Sequence, residues 1–276
     1  MALQKLRRTK LMVMMRKLIL MIIVCVVLVI AVKSADLPLE GVFNDGEVVL
    51  FIGDSITHGG RGDDMNHYLG HGYVAEIAMR YLGYRPRKGL CFLNRGVSGD
   101  TTYDLLKRWD ADVVHLRLWE NGWRGVFPEK DGDLQPNVVS ILVGINDFQN
   151  GKLTPDEYTA NLEQLVDRTF AVNAGCQIVI CEPFSLPADM SPGFQAIQKS
   201  ARSVAMRHRL CFVDFQRLFS DVLIKENPNA KYWFWDKAHP TYAAHIRMAD
   251  WWLDEFKAFR IKGSAAVSAA ACRKCR

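Results

Sequence analysis

The 276 residues contain no apolar run of the roughly 20 needed to cross a bilayer; the longest, residues 18–32, has 15. Neither Asp nor Glu occurs in residues 1–34, which carry seven basic residues (Lys5, Arg7, Arg8, Lys10, Arg16, Lys17 and Lys33). That stretch accounts for the whole net charge of +5, because beyond it 28 Lys/Arg face 30 Asp/Glu, a balance of about −2. The positive charge is therefore no sign of nucleic-acid binding, and none is expected. No internal repeat is present, which excludes a solenoid or a propeller. Cysteine is sparse, at seven, and the lone C-x-x-C of Cys272 and Cys275 lacks the second pair or nearby His that a zinc site needs.

A basic start followed by a 15-residue apolar core reads as an export leader over residues 1–34. Val32-Lys33-Ser34 before Ala35 supplies small residues for cleavage; retention as an uncleaved signal anchor is the alternative. Either outcome leaves the body outside the cytoplasm, periplasmic, secreted or associated with the membrane through this segment. Cys91, Cys176, Cys181 and Cys211 sit in or beside apolar runs and read as buried free thiols. An exported chain could pair two of them, and the sequence does not choose which.

Past the leader, short apolar runs rich in Val, Ile and Phe occur at 48–52, 90–94, 138–143, 177–181 and 210–213. Such nearly continuous runs are expected of strands covered on both faces. Between them, helical patterns cover 73–82, 102–116, 155–172, 193–208 and 242–259, with Thr154 as N-cap before Pro155. The alternation predicts βαβ units, a parallel sheet and one α/β domain over 35–262. Residues 119–135, rich in Gly, Trp and charge, read as a long loop before the third strand, and 263–276 as a disordered tail.

Four polar islands follow the predicted strands, at the edge where open parallel sheets bind ligands. Gly53-Asp54-Ser55-Ile56-Thr57 offers a Ser at a helix start, in a positive backbone field. Asn94-Arg95-Gly96-Val97-Ser98-Gly99-Asp100-Thr101 offers a glycine N–H to an anion, and Gly144-Ile145-Asn146-Asp147 offers a side-chain amide. Trp235-Asp236-Lys237-Ala238-His239-Pro240-Thr241 holds a His with an acid three residues before it, and Pro240 is placed to start the last helix. Each alone has a plainer explanation: a helix cap, a βα turn, a turn-forming Asn-Asp, a solvated His. Together they supply a nucleophile, oxyanion donors and a base in one order.

In these blocks the sequence resembles the SGNH (GDSL-type) hydrolase family, over about residues 47–260. Ser55, Gly99, Asn146 and His239 fall on the family's four name residues, and Asp236 on the acidic member of its triad. The resemblance implies a three-layer α/β/α, flavodoxin-like fold with a five-stranded parallel sheet, and ester hydrolysis without metal or other cofactor. It implies Ser55, Asp236 and His239 as catalytic residues, and Ser55, Gly99 and Asn146 as the oxyanion hole. Ile56 stands where the family motif has Leu, a conservative swap. Asp54 and Asp147 read as loop-shaping through local hydrogen bonds.

The expected substrate is an acetyl or other short-acyl ester, on a small molecule or a polysaccharide. Trp119, Trp123, Trp233 and Trp235 could stack on sugar rings, with ordinary loop packing as the plainer explanation, and Arg61, Asp63, Asp64, Asn66, His67 and His71 decorate the loop after Ser55. A lysophospholipase or thioesterase, an acyltransferase, and a non-catalytic glycan-binding protein on the same fold are the rivals. The oligomeric state is left open.

Overall fold

In the computed structural model, which describes residues 15–17, 21, 41–62, 68–116 and 134–274, five parallel strands form one sheet. They are β1 (Val48–Gly53), β2 (Cys91–Gly96), β3 (Val138–Leu142), β4 (Gln177–Cys181) and β5 (Cys211–Val213), in the order β2-β1-β3-β4-β5. This is the flavodoxin-like arrangement, whose order reverses between β1 and β3. The chain divides into Met1–Glu40 and Gly41–Arg276, and the fold described here belongs to the second unit. The leader lies almost wholly outside the described residues, as does the 119–135 loop up to residue 133. Among the described residues no helix is long and apolar enough to cross a membrane.

The strands alternate between two buried layers, as a period of two dictates. Val48, Leu50 and Ile52 of β1, with Leu93, Val139, Ile141, Ile178 and Ile180, face one core. That core is closed by α3 (Thr102–Trp109), α4 (Pro155–Val172) and α5 (Pro192–His208), through residues such as Leu105, Leu162 and Val204. Residues of the opposite parity meet an aromatic layer. Phe51 packs against Tyr73 and Trp252, and Phe43 against Tyr81, Phe92 and Phe256. Tyr73 and Tyr81 come from α2 (Tyr73–Tyr84), and Trp252 and Phe256 from the last helix, α6 (Tyr242–Lys274). A four-residue α1 (Ser55–His58) follows β1 directly.

The helix starts follow local chemistry. Thr154 and Thr101 each accept a hydrogen bond from the third helical residue, while Glu157 and Asp104 accept from the cap backbone. Both are capping boxes that satisfy donors the helix cannot. The long helical pattern read over 102–116 is α3 running on into a π turn, Asp110–Val114. α6 begins at Tyr242, one residue after Thr241, whose Oγ accepts from Ala244 N, so Pro240 is not its first residue. The tail expected to be disordered is instead continued helix as far as Lys274; residues 264–271 hold five alanines, the strongest helix formers. Cys91, Cys176, Cys181 and Cys211 are all buried, as the sequence implied.

Trp252 is fully buried and its Nε1 donates to Ser140 Oγ in the middle of β3 (3.0 Å), pinning α6 to the sheet. At the other end Arg260 donates to Gln177 Oε1 and Glu47 Oε1. Trp252→Ala should therefore cost about 3–5 kcal/mol of unfolding free energy, measured by urea denaturation; a loss under about 1 kcal/mol would mean that the aromatic layer repacks freely.

Candidate active site

β1 ends at Gly53, and the chain turns at once into α1. Asp54 caps that turn, its Oδ1 accepting from Ile56 N (3.0 Å), and Ser55 is the first helical residue. The turn is held between the neighbouring strands: Val97 N donates to Gly53 O (2.9 Å), and Asp54 N to Leu142 O (3.3 Å). A Cβ on Gly96 would lie 2.2 Å from His58 N, so only glycine lets β2 pass this close to α1.

Asp236 and His239 arrive from the far end of the chain on a narrow loop. Trp235 N donates to His239 O and Thr241 N to Trp233 O (2.9 Å each), a short antiparallel clasp around the D-x-x-H pair. Inside it, Asp236 Oδ1 accepts from the N–H groups of Ala238 and His239 (2.8 Å each). Asp236 Oδ2 lies 2.7 Å from His239 Nδ1, and His239 Nε2 lies 2.8 Å from Ser55 Oγ. The carboxylate can only accept, so the ring proton sits on Nδ1 and the Nε2 lone pair faces the Ser55 hydroxyl. This line of contacts can pass the Ser55 proton to His239. Three residues separated by up to 184 positions thus meet in one line of contacts.

Gly99 and Asn146 follow β2 and β3, the two neighbours of β1. Gly99 has φ +88°, a conformation an L-residue with a side chain rarely adopts. Asn146 Nδ2 donates to Asp100 O (3.1 Å), so the amide sits against the peptide that follows Gly99. Arg108 of α3 ties this loop to the nucleophile turn, donating from Nε to Asp100 Oδ2 (2.7 Å) and from Nη2 to Gly53 O (3.3 Å). Sequence reading did not find Arg108, because a helical Arg beside apolar neighbours looks like an ordinary solvated face. Asn94 is a second miss. It is buried, and its Nδ2 donates to Thr57 O (2.7 Å) and Leu69 O (2.9 Å), holding both ends of the loop after Ser55.

Asp147 departs from the expected local role. Its Oδ1 accepts from the N–H and hydroxyl of Thr102, 45 positions away, fastening β3's loop to the start of α3. Arg61, expected to decorate the cleft, is 95 % buried and donates to Gly96 O (2.7 Å). Of the other residues named in that loop, Asp63, Asp64, Asn66 and His67 lie outside the described residues, as do Trp119 and Trp123.

Ser55, His239 and Asp236 open onto a cleft of about 350 Å³ lined also by Gly59, Gly60, His71, Trp235, Tyr242 and His245. Trp235 and Tyr242 are exposed and meet edge-to-face at 6.0 Å. Trp233 is not part of this rim: it is buried, and its Nε1 donates to Asn227 O (2.9 Å).

Residues 51–246 match the family model described as the GDSL-like lipase/acylhydrolase family. The chain belongs to this family. An acetylxylan esterase from Geobacillus stearothermophilus is 32 % identical over 227 residues, 76 % of this chain and 94 % of the relative. A solved structure of an acetylxylan esterase from that organism superposes with TM-score 0.63 at 31 % identity, covering 77 % of this chain and 95 % of the other. A GDSL-like lipase structure from Parabacteroides merdae gives TM-score 0.65 at 32 % identity, covering 78 % and 97 %. The fold, the family and carboxylic ester hydrolysis as the activity stand on these likenesses together with the sheet topology.

The family motif places an acid on each side of its chemistry, and burial treats them differently. Burial alone would raise Asp236, but the N–H groups of Ala238 and His239 and the imidazole outweigh it and hold the carboxyl below its usual range. Burial drives Asp54 the other way, up to about 7, against the Ile56 N–H and the charge of His239. Its Oδ2 is buried with no hydrogen-bond partner among the described residues, as is Asp147 Oδ2. His245, which accepts from Tyr73 N at Nδ1 (3.1 Å), is pushed by burial down to about 4 and stays uncharged.

Asp54 therefore makes stability depend on pH. Between 3.8 and about 7 the unfolded chain releases this proton and the native chain keeps it, so stability falls as pH rises through that window. Asp54→Asn cannot ionise and should lose less stability from pH 4 to pH 7 than the parent, read from urea midpoints; equal losses would show that Asp54 ionises normally in the fold.

Proposed function

We propose that this protein is a serine esterase that removes acetyl and other short acyl groups from carbohydrate, with Ser55 as nucleophile, His239 as general base and Asp236 as its orienting partner. The hydrogen-bonded line Ser55–His239–Asp236, opening on a cleft rimmed by exposed Trp235 and Tyr242, is the observation that carries the reading. His239 Nε2 takes the Ser55 proton as Oγ attacks the ester carbonyl. The oxyanion accepts from the backbone N–H groups of Ser55 and Gly99 and from Asn146 Nδ2. His239 returns the proton to the departing sugar hydroxyl as the C–O bond breaks, leaving an acyl-Ser55. Water, relieved of a proton by His239, then attacks that ester; the acid leaves and Ser55 regains its hydrogen.

Several features support the finer points. The side chains of His239 and Asp236 are 46 % and 56 % exposed, so water reaches the acyl-enzyme and hydrolysis is favoured over acyl transfer. Two exposed aromatic rings beside the reacting atoms suit the apolar faces of a sugar better than a flexible acyl chain. The related enzyme named for acetylxylan lends the same direction. The basic and apolar leader supports action outside the cytoplasm, on hydrated glycans.

On p-nitrophenyl acetate, Ser55→Ala and His239→Ala should each lose about 10⁴-fold or more in kcat, and Asn146→Ala about 10²–10³-fold, all with unchanged melting temperature. Wild-type rates in the folded Ser55→Ala variant would overturn the scheme. Trp235→Ala should raise KM for acetylated xylo-oligosaccharides while leaving p-nitrophenyl acetate turnover nearly untouched. A strong preference for p-nitrophenyl esters beyond about C8 would replace the carbohydrate reading with a lipase one.

A further inference from the structure

We propose that Asn150 is a positioning residue that sets which end of the Asn146 amide faces the reacting oxygen; the inference rests on the oxyanion role assigned to Asn146 above. Asn146 opens a π turn, Asp147–Gly151, that brings Asn150 back over it at i+4, where helical side chains are neighbours. Asn150 Nδ2 donates to Asn146 Oδ1 (3.0 Å), while Asn146 Nδ2 donates to Asp100 O (3.1 Å). The two contacts are mutually consistent and polar in sense. Asp100 O is a backbone carbonyl that can only accept, so the nitrogen end of Asn146 must lie on its side. The oxygen end is then turned to Asn150, and a donor there is required. An amide has two N–H bonds, and Asp100 O uses one, which leaves the second for an oxyanion.

Asn150 is exposed, and no other hydrogen bond of its side chain is seen among the described residues. A surface Asn of that kind is ordinarily dispensable for stability, so an effect on rate is separable from an effect on folding. Its removal leaves Asn146 held at one end only. Its replacement by Asp goes further, since a carboxylate repels Asn146 Oδ1. Turning the amide over to relieve that repulsion would set Asn146 Oδ1 against Asp100 O and present no N–H to the substrate.

Asn150→Ala should lower kcat on p-nitrophenyl acetate about 3- to 10-fold, the range of a single neutral hydrogen bond. Asn150→Asp should lower it about 10²-fold, approaching loss of the donor itself. KM and melting temperature should hold in both. In an Asn146→Ala background neither change should slow the enzyme further, because the group they orient is gone. The inference is overturned if Asn150→Asp keeps kcat within about twofold, or if it slows the Asn146→Ala variant as much as it slows the parent, which would mark a through-space charge effect. If Asn146→Ala itself retains full activity, the oxyanion assignment fails first and this inference with it; if Asn146→Ala is crippled and Asn150→Asp is not, this inference alone fails.

Discussion

β1 is hydrogen-bonded on both edges, to β2 and to β3, with Gly53 opposite Gly96 on one side and Leu142 on the other. A slip of one residue would turn Phe51 out of the aromatic layer and Ile52 out of the aliphatic one, an exchange no buried strand tolerates. This fixed register decides where Ser55 emerges, because Asp54 and α1 follow the last paired residue with nothing between. Everything chemical then depends on the loops after the two neighbouring strands reaching the same height. Strand order places them on either side of β1, where α/β sheets of this kind open a crevice.

The Ser55–His239–Asp236 line is built with little help from charge. Asp236 and His239 are half exposed, so their attraction is screened and their geometry is set by backbone N–H groups in a tight clasp. The neighbouring loops are held by fixed local geometry: a glycine with positive φ, an amide between Asn150 and Asp100 O, and an arginine bridging two loops. In the proposed mechanism, a preorganised glycine N–H and side-chain amide suit a reaction whose charge exists only as the oxyanion forms. The strongly buried carboxyls, Asp54 and Asp147, lie behind this layer, where they fasten turns.

Much of this was legible beforehand. The five strands came within a few residues of their observed limits, since buried parallel strands announce themselves as unbroken Val/Ile/Phe runs, and so did the major helices apart from the C-terminal ends of α3 and α6. Ser55, Asp236 and His239 were each marked by a compact motif, and the fold brings them into one line of contacts. Arg61 was misjudged, and the choice between packing and exposure at Trp233 was left open, for one shared reason. Whether a loop side chain points out or in depends on what another part of the chain offers it. Asn227 O draws the indole inward, and Gly96 O draws the guanidinium. The tail was read from composition as disordered, yet alanine's helix propensity carries α6 on through it.

The sequence by itself determined the element order, the helix caps and the residues able to act as nucleophile, base and acid, because those depend on local spacing and intrinsic chemistry. Tertiary structure alone decided that Ser55 Oγ stands 2.8 Å from His239 Nε2 across 184 positions of chain. It also decided that Arg108 and Asn94 serve the loops around them. Such roles are relations between distant segments, and they exist only once the sheet has closed and the two side layers have packed against it.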